Sequence, residues 1–205
     1  MAQYKVNDTS LTAVANAIRE RAGTEDQLTF PDGFVSAVEG IPDLLEQLIT
    51  STLVEYSNAN ITKFKAYAFT ESRALRKVTL PNITEVTWFC FDGCTALEEF
   101  HGDKVKNLVY RSLSNTKLST LTLPSVTKIE EQALANTPLS ALILPGLTIC
   151  VLNHSNVFPN TPIANGTGYI YVPRALVDSY KAATNWSNFA SQIRAIEDYP
   201  EITGG

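Results

Sequence analysis

The feature that most limits how this chain can fold is an internal repeat of 21 to 22 residues. Five stretches align along the sequence. They begin at Ile61 ("ITKFKAYAFTESRALRKVTLP"), Ile83 ("ITEVTWFCFDGCTALEEFHG"), Val105 ("VKNLVYRSLSNTKLSTLTLP"), Val126 ("VTKIEEQALANTPLSALILP") and Leu147 ("LTICVLNHSNVFPNTPIANGTGYIYVP"). The opening residues step by 22, 22, 21 and 21 positions. A unit this short cannot bury its own apolar face, so it must stack on its neighbours.

The same columns recur inside each unit. Three residues after the opening position come Phe64, Val86, Leu108, Ile129 and Cys150. Phe69, Phe91, Leu113 and Leu134 form a large apolar column, preceded by Ala68, Cys90, Ser112 and Ala133. Leu75, Leu97, Leu118 and Leu139 form the next, and Val78/Leu80, Leu121/Leu123 and Leu142/Leu144 close the units in an apolar-x-apolar strand pattern. Gly102 takes the second of those apolar places in the second unit, which breaks the regular strand end there. The expected unit has two short strands with turns at Pro81, Pro124 and Pro145. Successive units pair as parallel strands about 4.8 Å apart.

These columns resemble the BspA-type leucine-rich repeat found in bacterial surface proteins and phage proteins, over Ile61 to Val172. The resemblance implies an α+β fold: a leucine-rich-repeat solenoid of short parallel strands, about five coils of 21–22 residues, with a helical module at each end. The expected boundaries are 1–55 for an N-terminal helical attachment module and linker, 56–172 for the repeats, and 173–205 for a helical C-terminal cap and tail.

An end of such a stack exposes its core and needs a cover. After Val172, Pro173 suits the first turn of a helix with Leu176, Val177 and Tyr180 on one face. A second short helix, capped by Asn185 or Ser187, is expected to carry Phe189, Ile193 and Ile196 inward. The segment "YVPRALVDSYKAATNWSNFASQI" is similar to the terminal cap of such repeats in phage and Firmicutes surface proteins, which makes Trp186 a packing anchor. At the front, Ser10 can cap a helix ended by Gly23, and a second helix starts at Asp32. A third is expected over Ile41 to Val54. "NDTSLTAVANAIRERAG" and "LTFPDGFVSAVEGI" resemble an N-terminal module of tail-associated proteins in phages of Gram-positive bacteria. The stripe Leu44, Leu45, Leu48 and Ile49 either assembles with other copies or virion proteins or packs on the first repeat.

Charge and residue chemistry remove several function classes. A formal net charge of −5 with sixteen scattered basic residues argues against nucleic acid as a partner. No apolar run is long enough for membrane insertion, and the N-terminus lacks the pattern of a signal peptide. Cys90 and Cys94 fall at repeat positions held elsewhere by Ala, Ser or Thr, so they read as buried small side chains rather than metal ligands, and with Cys150 they do not make a disulfide framework. Two histidines, His101 and His154, come without a glycine-flanked serine, and "GTG" at Gly166 lacks the lysine of a phosphate loop. No catalytic, cofactor or metal site is therefore expected, and the chain reads as non-enzymatic.

Two surfaces are candidates for binding. The outward strand positions run Thr79, His101, Thr122, Ile143, Tyr171 and, beside them, Lys77, Glu99, Thr120, Ala141, Tyr169, turning apolar toward the C-terminus. Ile143, Tyr169 and Tyr171 are either a contact patch or the seat of the terminal cap. The turn after the first strand aligns Ala66, Trp88, Tyr110 and Glu131 beside Tyr67, Phe89, Arg111 and Gln132. A ridge with Trp88 stacked on Tyr110, and Tyr67 and Phe89 adjacent, either holds a sugar or protein anchor or fills the core edge.

The resemblance implies a phage virion structural protein, tail-associated or a fibre, assembled in the bacterial cytoplasm and located in the particle. Its repeat surface would attach to a host protein or glycan. Its partners would be other virion proteins and further copies of itself, with a trimer as one state. A bacterial cell-surface adhesin is the alternative, and a cell-wall glycan hydrolase using paired carboxylates is a second.

Overall fold

A computed structural model describes residues 53–202. These fall within the contact unit Leu53–Gly205, and the three expected N-terminal helices lie outside the described residues, apart from Leu53 and Val54. Those two residues are not helical; they lead into β1 (Glu55–Ser57).

The repeats contribute short strands to two parallel sets, two per repeat except the first, whose leading half makes only a single bridge from Lys63 to Glu85. One set holds β1, β2 (Lys77–Thr79), β4 (Glu99–His101), β6 (Thr120–Thr122), β8 (Ala141–Ile143), β10 (Tyr169–Val172) and β11 (Ile193–Ala195). The other is a four-stranded sheet of β3 (Glu85–Val86), β5 (Asn107–Leu108), β7 (Lys128–Ile129) and β9 (Val151–Leu152). Every pairing is parallel. The register follows the repeat: Val78 lies opposite Phe100, Leu121 opposite Leu142, and Val86 opposite Leu108 opposite Ile129. The middle residue of each apolar-x-apolar triplet pairs with its equivalent, as in Thr79 with His101 and Thr122 with Ile143 with Tyr171.

The core is the set of repeat columns. Leu75, Val78, Leu80, Ile83, Val86, Leu97, Leu108, Leu113, Leu118 and Leu139 are fully buried. In the first repeats the large column is aromatic, with Phe69 stacked on Phe91 at 5.1 Å and Phe91 edge-on to Phe100 at 5.8 Å. Gly102 belongs to this packing: a Cβ there would lie 2.9 Å from Cε1 of Phe100 and 2.8 Å from Val105. The large Phe100 occupies the space that Leu80 and Leu123 fill elsewhere. The strand ladder is interrupted at this unit, since β4 and β6 belong to separate sheets.

Cys90 and Cys94 sit in small-residue columns. Cys94 shares a column with Thr116, Thr137 and Thr161, whose buried hydroxyls donate to the carbonyls of Leu113, Leu134 and Phe158 at 2.8–3.0 Å. Its thiol instead donates to the Phe69 carbonyl at 3.0 Å. All three cysteines are free and buried, and burial pushes each thiol up to about 12.

The last repeat is set two residues later than its sequence alignment suggests. Lys128 pairs with Val151 and Ile129 with Leu152, so Leu152, not Cys150, takes the column of Val86 and Leu108. Leu147 is 87% exposed. The turn after β8 absorbs the two extra residues. A further insertion, Ala164 to Gly168, lengthens the link between Ile163 and β10.

The C-terminal cap mixes helix and strand. Arg174–Leu176 forms a 3-10 turn and Val177–Ala182 a helix, α1, with Tyr180 buried on it. The expected second helix is a 3-10 segment, Trp186–Gln192, that stops before β11. Ile193 is a strand residue paired with Ile170, because Ile193-Arg194-Ala195 repeats the alternating pattern of the earlier strands. Asn185 caps nothing; it adopts a positive φ of 65° and its amide donates to the Leu152 carbonyl at 2.9 Å.

Candidate binding surface

The turn joining the two strands of a repeat carries two columns of left-handed backbone. One runs Tyr67, Phe89, Arg111, Gln132, with φ between 53° and 64°. The other runs Glu71, Gly93, Asn115, Asn136, Asn160, with φ between 55° and 76°. Asn and Gly enter this region at low cost, and most other residues do so at a penalty. The second column obeys that rule at every position but Glu71 and adds a side-chain ladder, in which Asn160 donates to Asn136 at 2.7 Å, Asn136 to Asn115 at 2.9 Å and Asn115 to Asp92 at 2.7 Å. The first column holds bulky side chains on the same strained backbone. Strain of this kind persists where surrounding structure enforces it, and it clusters at binding sites.

Backbone hydrogen bonds tie these turns together, from Tyr67 N–H to the Trp88 carbonyl at 3.0 Å and from Phe89 N–H to the Tyr110 carbonyl at 3.2 Å. They set the aromatic side chains one repeat apart. Tyr67 stacks on Phe89 at 5.0 Å with planes 10° apart, and Phe89 meets Tyr110 edge-on at 5.4 Å. Arg111 continues the column with its guanidinium 5.3 Å from the Phe89 ring. The ridge is therefore Tyr67–Phe89–Tyr110. Trp88 does not take part in it, because its neighbours in the column are Ala66 and a Tyr110 ring turned toward Phe89.

Trp88 instead forms one wall of an open groove of about 620 Å³, lined also by Lys63, Lys65, Glu85, Thr87, Val109 and Glu130. Trp88 is 56% exposed and Tyr67 57% exposed. Val109 and Thr87 are buried beneath, and the Thr87 hydroxyl donates to the Lys65 carbonyl at 3.1 Å. Lys63 pairs with Glu85 at 3.4 Å, and Glu130 with Lys128 at 2.6 Å. The groove residues Lys65, Thr87, Val109 and Glu130 form one repeat column. Its charged ends and uncharged middle members are visible in the sequence alignment, but its role as a groove floor emerges only once Trp88 stands beside it.

The other sequence candidates separate. His101 is exposed on β4 and lies 3.3 Å from Glu99, which also pairs with Lys77 at 2.9 Å. Lys77 first, through its hydrogen bond, and then His101 hold the Glu99 carboxyl below its ordinary value, and Glu99 in turn raises Lys77. Ile143 and Tyr171 are buried with Ala141 under Ile196, Tyr199 and Ile202 of the C-terminal tail, so the cap takes this patch. Only Tyr169 keeps an exposed face, with Arg194 4.7 Å from its ring. Leu44, Leu45, Leu48 and Ile49 lie outside the described residues. Of the paired carboxylates, Glu98 is bound to Lys117 and Glu130 to Lys128, while Glu131 faces His154 at 4.0 Å.

The profile of the BspA type leucine-rich repeat region (6 copies) matches residues 49–163, more than half of the chain. The chain belongs to this family. The BspA-type match begins twelve residues before Ile61, and the structure shows why: β1 pairs with β2 with Tyr56 opposite Val78, and Leu53 is buried as Leu75 is. Half a repeat therefore precedes the five that align in the sequence. BspA-type repeats suggest a protein-binding or adhesin-like role, and the match indicates no catalytic family. No curated protein matches the chain. Among the described residues no helix is long and apolar enough to cross a membrane.

Proposed function

We propose that this protein is a non-enzymatic phage virion component, tail-associated or a fibre, whose leucine-rich-repeat solenoid presents a surface for host attachment. The single observation that supports the attachment role is the run of aromatic side chains on successive turns, with Tyr67 and Trp88 exposed, Phe89 and Tyr110 half-buried beside them, and Tyr67 and Phe89 on left-handed backbone. Exposed large aromatics on rigid elements are the usual anchors of recognition. The virion assignment draws support from the N-terminal sequence resemblance, with residues 1–55 as the attachment module and Leu44, Leu45, Leu48 and Ile49 as an assembly stripe. In this reading other virion proteins and further copies of the chain are the partners on that side, and a host surface protein or glycan on the other.

A cell-surface adhesin is the second reading, favoured by the repeat family itself. The two make opposite forecasts for location. Antibody labelling and mass spectrometry of purified particles detect the protein in the virion under the first. Detection only in the bacterial envelope fraction contradicts it and leaves the adhesin.

A further inference from the structure

We infer that the groove beside Trp88 binds a pyranose glycan without net charge; this rests on the attachment role above and names its ligand class. The groove offers about 620 Å³, inside the range of roughly 300–1,000 Å³ of small-ligand sites and enough for one or two sugar rings. A ligand here must present an apolar face to an indole and polar groups to the rim. A pyranose ring does both, with C–H bonds on one face and hydroxyls around its edge.

The charges argue for a neutral ligand. The lining holds two cations, Lys63 and Lys65, and two anions, Glu85 and Glu130. Lys63 is matched by Glu85 and Glu130 by Lys128 on the same surface, so no sign is in large excess. The lining nevertheless supplies hydrogen-bonding capacity. Glu85 engages Lys63 through Oε1 and Glu130 engages Lys128 through Oε1, which leaves the second oxygen of each carboxylate to accept from a hydroxyl. Lys65 is exposed and can donate. The floor at Val109 and Thr87 is apolar apart from a hydroxyl already donated to the Lys65 carbonyl. The aromatic ridge continues at the adjoining turn, where Tyr67 presents an exposed ring on Phe89. A longer glycan can extend onto it.

The two tryptophans make the test direct. Trp88 is exposed and lines the groove, whereas Trp186 is fully buried and reports folding. The full chain is titrated with chitotetraose and cellotetraose as neutral probes and with a glycerol-phosphate polymer as an anionic one, following tryptophan emission. The inference expects a blue shift with a neutral probe, an affinity that changes less than about twofold with added salt, and loss of the response in Trp88→Phe. It also expects roughly tenfold weaker binding by calorimetry in Trp88→Ala, while Trp186 emission stays native. Three results overturn it: no neutral probe binds, only the anionic polymer binds with steep salt dependence, or Trp88→Ala binds as well as the parent. If the glycans fail while the chain still associates with host cells, the attachment role stands and the ligand class falls. If glycans bind but cells do not hold the chain, the reverse follows.

Discussion

The indole N–H of Trp186 donates to the carbonyl of Cys150 at 2.6 Å, across the outer edge of the last strand of its sheet. Two more side chains do the same work: Tyr180 accepts from the Cys150 N–H at 2.9 Å, and Asn185 donates to the Leu152 carbonyl at 2.9 Å. An open strand edge is a template for pairing with another chain. Here three cap side chains stand where the next strand of the stack would be. Trp186 packs edge-on to Tyr180 at 5.1 Å, which holds both in place.

Replacing Trp186 with Phe keeps much of the ring burial and orphans the Cys150 carbonyl. The cost is about 1–3 kcal/mol, the price of an unmet buried polar group. Trp186→Ala adds a cavity and costs about 3–5 kcal/mol. Urea midpoints of the full chain measure both. A Trp186→Phe midpoint equal to the parent contradicts the edge-capping role.

Ser112 is fully buried in the column of Cys90 and Ala133, and its hydroxyl has no hydrogen-bond partner among the described residues. Ser112→Ala removes an unsatisfied group at the cost of one small atom. It is expected to stabilise the protein by about 1 kcal/mol, read as a raised denaturation midpoint; a loss of stability contradicts it.

The buried thiols give an alkaline signature. Burial holds Cys90, Cys94 and Cys150 protonated up to about 12, whereas an unfolded thiol titrates near ~8.5. Above that unfolded value the unfolded chain binds fewer protons than the native one, so stability present at neutral pH is lost as pH rises toward 12. The slope reaches at most ~1.4 kcal/mol per pH unit for each thiol. Midpoints compared at pH 8, 9 and 10 should fall for the parent and fall less for Cys90→Ala/Cys94→Thr/Cys150→Ala. Parallel curves contradict the burial account.

Glu71 and Gly93 interrupt the Asn column at its first two steps. A Cβ at Gly93 would lie 2.5 Å from Oε1 of Glu71, so Gly93→Asn alone clashes with that carboxylate. Glu71→Asn relieves both the clash and the cost of Glu in left-handed backbone. The double variant is expected to be more stable than the sum of the singles by about 1 kcal/mol. Additive effects contradict the proposed ladder.

Much of this fold was legible because burial imposes a column on every repeat. Val86, Leu108 and Ile129 pair in the register the alignment predicts, and so do Thr79 with His101 and Thr122 with Ile143. Three features were not legible, each for a physical reason. Leu147 has the right chemistry to open a repeat, but it lies within the lengthened turn after β8, and only strand pairing shows that Leu152 holds the core position. Ile193 has helical spacing to Phe189, yet its nearest demand is the open edge of β10. Ile143 and Tyr171 looked outward because they are, and only the tail that returns over them decides their burial. The ridge was half legible: its residues align, but left-handed backbone at Tyr67 and Phe89 turns the stack from Trp88–Tyr110 to Tyr67–Phe89–Tyr110.

The central claim is that the aromatic turn surface is what this protein binds with. The most direct measurement is saturable association of the labelled full chain with a panel of Gram-positive cells, for the parent and for Tyr67→Ala/Trp88→Ala. Both replaced side chains are more than half exposed, so the fold should survive the change. The account expects saturable binding by the parent to at least one strain and a loss of roughly tenfold or more in the variant, with an unchanged denaturation midpoint. Equal binding by parent and variant would contradict it.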